Sequence, residues 1–225
     1  MKLYMHPASN TSRPVILFIE ENNLPVEMEV VDLMTGAHLQ EPYISVNPNG
    51  LGPALVDGDF TLTESSAILK YLADKFDIAT YPKDLKARAK VNELMDWFNT
   101  GFYRDYAYGV VYPQLFPHHK RPTEEAHKAT IEWGKGQTKR WLKVLNDHWL
   151  GHGKPYLTGD DLTIADLFGA GLLTCGHPIR NEFSAYPNIE AWLKRIEALP
   201  NWGKINEALN GFREALKDQQ FETVS

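Results

Sequence analysis

The period of the hydrophobic positions changes near residue 78. Before that point the chain alternates short apolar runs with one-sided helical stripes. Residues 2–5 form an apolar strand closed by His6-Pro7. In residues 13–22, Val15, Phe18, Ile19 and Asn22 fall on one helix face at i, i+3, i+4, i+7. Pro14 suits the first helical turn, with Ser12 or a neighbour as cap, and Leu24-Pro25 ends the run. Residues 26–31 set Val26, Met28 and Val30 against Glu27, Glu29 and Val31, a strand pattern. Residues 35–46 predict a short irregular helix. Residues 53–56 and 60–62 pair as a hairpin across Asp57-Gly58. Thr63 is a good N-cap for a helix whose stripe is Ile68, Leu69, Leu72 and Phe76.

Beyond a proline-bearing linker at 79–83, the pattern is helical throughout. Residues 84–116 predict a helix pair or one broken helix. Thr123 caps a second run, with Glu124 and Glu125 at its positive dipole end. Trp141, Leu145 and Trp149 repeat along it, and Gly151, Gly153 and Pro155 stop it. Thr163 and Asp166 form a variant capping box for residues 163–174. Helices over 187–199 and 202–217 complete the set, and residues 219–225 are expected to be loose. The order βαβ then αββα predicts a thioredoxin-like α/β domain over 1–78. An all-α domain over 84–225 follows it.

Composition narrows the function. The chain has 225 residues and a formal charge of −6, with no long like-charge run. That argues against nucleic acid or an anionic membrane as partner. No apolar run is long enough for a membrane span. No basic segment with an apolar core opens the chain, so no signal peptide is expected. Cys175 is the one cysteine, so no internal disulfide forms and a reduced, cytoplasmic setting is the default. Its neighbours Leu172, Leu173 and Gly176 indicate core packing. His118-His119 lacks acidic or cysteine partners at ligand spacing, so it is read as a solvated loop and no metal site is expected.

The densest chemistry lies in residues 47–76, NPNGLGPALVDGDFTLTESSAILKYLADKF. A Gly-Pro dipeptide offers backbone polar groups, and Glu64-Ser65 opens a helix beyond the hairpin. An acid and a serine hydroxyl with its amide can hold the two charges of a zwitterionic amino acid. Ser9 lies in the turn before the first helix, where free amides and the dipole favour anions. On spacing alone, the run Ser9, Asn10, Thr11, Ser12 is equally a cap and turn. A hydroxyl there can also hydrogen-bond an incoming thiolate. Lowering a thiol pKa by two units requires about 2.7 kcal/mol, and one charge-assisted hydrogen bond contributes about 1.5–3 kcal/mol.

Residues 47–76 closely resemble the glutathione-binding half of the glutathione transferases, the theta-type enzymes above all. The segment YLTGDDLTIADL over 156–167 is similar to their core helix, and the likeness spans nearly the whole chain. Residues 18–25, FIEENNLP, also resemble bacterial nu-type members, the second choice, where threonine takes the place of Ser9. The resemblance implies glutathione as co-substrate, with no bound cofactor. It implies Ser9 as the catalytic hydroxyl, four residues before Arg13, with Thr11 and Ser12 as alternates. It implies a cis Gly52-Pro53 bond beside the cysteinyl unit. Glu64 then takes the α-ammonium, Ser65 the α-carboxylate and His38 the glycine carboxylate. Leu51 stands where the family often has lysine, which removes one cationic contact.

The function implied is conjugation of the glutathione thiolate to an apolar electrophile, with halide displacement open, by a homodimer. Tyr103, Arg104, Tyr106 and Tyr112 are candidates for the second-substrate pocket, amid further aromatics at Tyr108 and Phe116. The absence of cysteine from the first 78 residues disfavours protein-thiol redox chemistry. Two rivals stay open: a glutathione-dependent disulfide reductase that uses no protein cysteine, and a non-enzymatic binding protein of the same fold.

Overall fold

A computed structural model of the chain describes residues 1–224. Its strands form one mixed sheet in the order β2-β1-β3-β4. β1 (Lys2–Met5) runs parallel to β2 (Glu27–Val30), with Leu3 opposite Met28. It runs antiparallel to β3 (Ala54–Asp57), with Leu3 opposite Leu55. β4 (Phe60–Thr63) pairs antiparallel with β3. The parallel pair needs a crossover, which contains α1 (Ser12–Glu21). Leu3, Leu55 and Phe18 are wholly buried, together with Ile68, Leu69 and Leu72 of α3 (Ser65–Lys75). Burying one such phenylalanine contributes about 1.5–3 kcal/mol. This is the thioredoxin-type arrangement that the alternating periods predict.

Two local expectations change. Thr63 does not cap α3: it ends β4 opposite Ala54, and Glu64 takes the cap position at φ +67°. The irregular helix at 35–46 splits into a 3-10 turn, Ala37–Leu39, and α2 (Tyr43–Val46), with a cis Glu41–Pro42 bond between them.

Every regular element from Leu85 to Ala215 is helical. Asp84 caps α4 (Leu85–Asp96) by accepting from the Lys86 and Ala87 amides. The chain then winds as a π-helix over Trp97–Tyr103, a short α5 (Arg104–Tyr106), a second π-helix over Ala107–Val111, and α6 (Tyr112–Leu115). α7 (Glu124–Val144) is capped by Thr123, whose hydroxyl accepts from the Ala126 amide. In α8 (Ile164–Leu173), Asp166 accepts from the Thr163 amide and hydroxyl, both at 2.8 Å. It also accepts from the Leu157 amide and Trp192 Nε1, so the capping pair is a buried hub. α9 (Pro187–Glu197), α10 (Trp202–Ile205) and α11 (Glu207–Ala215) follow.

α1 joins the two parts. Every residue from Ser12 to Ile19 is buried, because one face meets α3 and the other meets α8. The approach to α8 requires a glycine: a Cβ on Gly171 would lie 2.3 Å from Pro14 Cγ. The end of the chain is also anchored, against expectation. The Glu222 amide donates to Gln114 Oε1 and its carbonyl accepts from Gln114 Nε2. Val224 is buried and its amide donates to Asn181 Oδ1. Ser225 lies outside the described residues. The polar composition of 217–222 hid this strap, because backbone groups make most of its bonds.

Candidate active site

A cavity of about 720 Å³ opens where the start of α1 and the cis Gly52–Pro53 turn face the π-helical wall. Ser9, Thr11, His38, Gly52, Pro53, Glu64 and Ser65 all line it. They come from four separate turns, which the strand registers bring to one end of the sheet.

The first turn is set by its own backbone. The Ser9 carbonyl accepts from the Ser12 and Arg13 amides at 3.1 and 3.0 Å, which starts α1 directly beneath the Ser9 side chain. Ser9 Oγ lies 3.1 Å from Thr11 Oγ1, and Thr11 Oγ1 donates to the Gly52 carbonyl at 2.9 Å. The proton of Thr11 is therefore committed, and that of Ser9 is the mobile one. Ser12 is different: it is wholly buried, its hydroxyl faces the His6 amide at 3.4 Å, and it is off the cavity wall.

The proline turn is braced from below. The Leu51 carbonyl accepts from the Tyr43 hydroxyl at 2.5 Å and from Asn47 Nδ2 at 2.6 Å. Leu51 itself is exposed on the cavity rim. Glu64 is exposed at a positive φ that non-glycine residues adopt only under constraint. Ser65 beside it is buried at the start of α3. His38 sits in the 3-10 turn with a buried Nδ1 that has no partner among the described residues.

The opposite wall is aromatic. Asn99, Tyr103, Tyr108 and Tyr112 reach the cavity in steps of four and five residues, wider than the 3.6 of an α-helix. The π-helical winding produces that spacing, as it often does at functional sites. Tyr106 falls off this register. It is wholly buried with an unpartnered hydroxyl directed at Gly176, so it belongs to the core and not to the pocket. Arg104 lines the cavity but its guanidinium is held by Asp105, through Nε at 2.8 Å and a second nitrogen at 3.3 Å. Asp105 also accepts from Trp141 Nε1 and faces the core.

His118 is exposed, as a solvated loop requires, but His119 is half-buried. Both line the cavity, and the His119 ring packs 5.4 Å from Tyr108 and 5.3 Å from Tyr112. Burial, with His118 and Arg121 nearby, lowers the His119 pKa and keeps the ring neutral. Phe116 stacks on Phe212 of α11, which closes the far end. No periodic signal marked Phe212, because α11 reaches the site only through the tertiary fold. Cys175 is buried and its thiol is pushed up by desolvation, so it is unreactive and away from the cavity. Among the described residues no helix is long and apolar enough to cross a membrane.

Comparison with known proteins agrees with this geometry. Residues 3–80 match the model for the glutathione S-transferase N-terminal domain, and residues 110–200 match that for the C-terminal domain. The chain is 36% identical over 213 residues to human glutathione S-transferase theta-1, covering 92% of this chain and 87% of the relative. The structure of human glutathione S-transferase T1-1 in its apo form superposes with a TM-score of 0.82 at 32% identity, over 98% of this chain and 92% of that one. Human glutathione transferase theta-2, solved in complex with glutathione and an unknown ligand, gives 0.81 at 31% identity, over 99% and 93%. A shared two-part fold, matched end to end at this identity, settles the family: the chain belongs to the glutathione S-transferases.

Proposed function

We propose that this chain ionises the thiol of glutathione at the Ser9 hydroxyl and directs the sulfur at an apolar electrophile against the Tyr103–Tyr108–Tyr112 wall. Residues 1–78 hold the tripeptide and residues 84–225 supply the wall. The likeness to theta-type transferases, one of them solved with glutathione, supports the ligand. Glu64 would accept the α-ammonium, Ser65 the α-carboxylate, and His38 the glycine carboxylate. Gly52, before the cis proline, would pair its backbone with the cysteinyl unit. The enzyme works as a cytoplasmic homodimer, and the product is a thioether or, from an alkyl halide, a thioether with free halide.

One observation carries the reading: the hydroxyls of Ser9 and Thr11 lie side by side on the wall that bears Gly52, Glu64 and Ser65. Turning the Ser9 proton from Thr11 to a thiolate gives up one neutral hydrogen bond, about 1 kcal/mol, for a charge-assisted one of about 1.5–3 kcal/mol. The α1 N-terminus adds a favourable dipole. The exchange is downhill by about 0.5–2 kcal/mol, and the dipole adds to it toward the roughly 2.7 kcal/mol that a two-unit shift requires.

Calorimetric titration with glutathione, followed by conjugation assays with a small aryl or alkyl electrophile, tests the proposal. It expects binding, turnover, and a loss of turnover in Ser9→Ala. Failure to bind glutathione would overturn it. Turnover confined to a mixed glutathione disulfide would replace conjugation with disulfide reduction.

A further inference from the structure

The cavity wall around His38 is apolar and carries no fixed positive charge. Two loops build it. The chain after β2 brings Leu33, Met34 and His38 to the cavity, and the turn before β3 brings Asn49, Gly50 and Leu51. The loops touch at Gly50: a Cβ there would lie 2.7 Å from Leu39 Cδ2 and 3.4 Å from the His38 carbonyl oxygen. The Leu51 carbonyl is held by Tyr43 and Asn47, which leaves its side chain on the rim. Met34, Leu39 and Leu51 are each more than half exposed. Among the described residues from 1 to 78, no lysine or arginine lines the cavity. Lys2 is held by Glu27 and Glu29, Lys75 by Asp57, and Arg13 is wholly buried. Arg104, on the opposite wall, is occupied by Asp105. Asn47 and Asn49 add only neutral amides. The His38 Nδ1 is buried without a partner, so a proton there would have no acceptor. The ring therefore meets a ligand as a single Nε2–H donor. One such donor serves a carbonyl oxygen of a carboxylate, an amide or an ester alike.

We propose that this site takes glutathione with its glycine carboxylate masked, as an amide or ester, as readily as free glutathione, and that Leu51 sets this tolerance. This preference rests on the glutathione reading, with the glycine end at His38, and deepens it. A free carboxylate brought here loses water and meets no fixed cation. Its charge also repels the thiolate of the same molecule. An uncharged end group removes both penalties and keeps the carbonyl oxygen that His38 can bond. Its alkyl part covers Met34, Leu39 and Leu51 and takes their apolar surface out of water. Because these side chains stand at the rim, the added group extends outward. The sulfur at Ser9 and the γ-glutamyl group at Glu64 and Ser65 stay in place.

Isothermal calorimetry on the full-length protein compares glutathione with its glycine ethyl ester and its C-terminal amide, in the wild type and in Leu51→Lys. The wild type is expected to bind both masked forms within about 3-fold of glutathione, or more tightly, because a single neutral donor separates them little. Leu51→Lys places a cation on the rim. It is expected to shift the ratio of dissociation constants about 3- to 5-fold toward glutathione, the scale of one partly exposed ion pair. That shift should shrink in high salt. A wild type that favours glutathione by more than about 3-fold over either masked form overturns the proposal, the margin being that of the expectation. So does a ratio that Leu51→Lys leaves unchanged. A wild type that binds none of the three thiols overturns the glutathione reading itself.

Discussion

Thr11 donates its hydroxyl proton to the Gly52 carbonyl at 2.9 Å, across forty-one residues of sequence. The bond ties the first turn of α1 to the cis-proline turn and leaves Ser9 as the hydroxyl with a proton to give. Thr11→Val keeps the shape and removes the tie. Glutathione affinity is expected to fall by about 5-fold, the scale of one hydrogen bond near 1 kcal/mol, and Thr11→Ser to restore it. Isothermal calorimetry on the two variants checks both directions.

Glu64 sets stability against binding. Its φ of +67° is unfavourable for a side-chain-bearing residue, at a cost of about 1–2 kcal/mol. Glu64→Gly relieves that strain, offset in part by the freedom glycine adds to the unfolded chain. The variant is expected to melt no lower than the wild type while losing glutathione affinity by about 10- to 100-fold. Paired denaturation and binding curves decide the matter. A coupled loss of both would mean that Glu64 is only structural.

Much of this was legible in the sequence, and the misses share a cause. The change of period located the sheet and the helices, because alternation and one-sided stripes are local signals. Thr163 and Asp166 marked a helix start for the same reason. Tyr106 was misplaced because an α-helical period does not hold through a π-helical stretch, which turns Tyr108 and Tyr112 to the cavity instead. His119 and Phe212 reach the site through tertiary packing alone. The strap at 219–224 depends on partners more than forty residues away, Asn181 and Gln114.

His177 gives the fold an acid sensitivity. Burial lowers its pKa from 6.5 to about 4, with Arg13 and Arg213 adding to the shift. The unfolded chain takes up this proton first as pH falls, so the folded state loses ground between pH 6.5 and 4. Above that window the contribution is full. Linkage puts the loss from pH 7.5 to 5 at about 2 kcal/mol. Urea melts at the two pH values should show it, and His177→Gln should flatten that part of the slope.

The terminal strap is expected to stabilise the pocket wall. Removing residues 219–225 exposes Asn181 and frees Gln114 of the helix that carries Tyr112. A loss of about 1–3 kcal/mol follows from leaving such groups unpaired. Hydrogen exchange should quicken over residues 107–116 more than in the sheet. Uniform exchange across the chain would show that the strap is passive.

The ionisation state of the bound thiol is the most direct test of the account. The ultraviolet absorbance of glutathione thiolate, titrated against pH on the protein, reports it. The account predicts an apparent pKa well below the free thiol value of about 8.5, raised by at least about one unit in Ser9→Ala. Equal titration curves for the wild type and Ser9→Ala would contradict it.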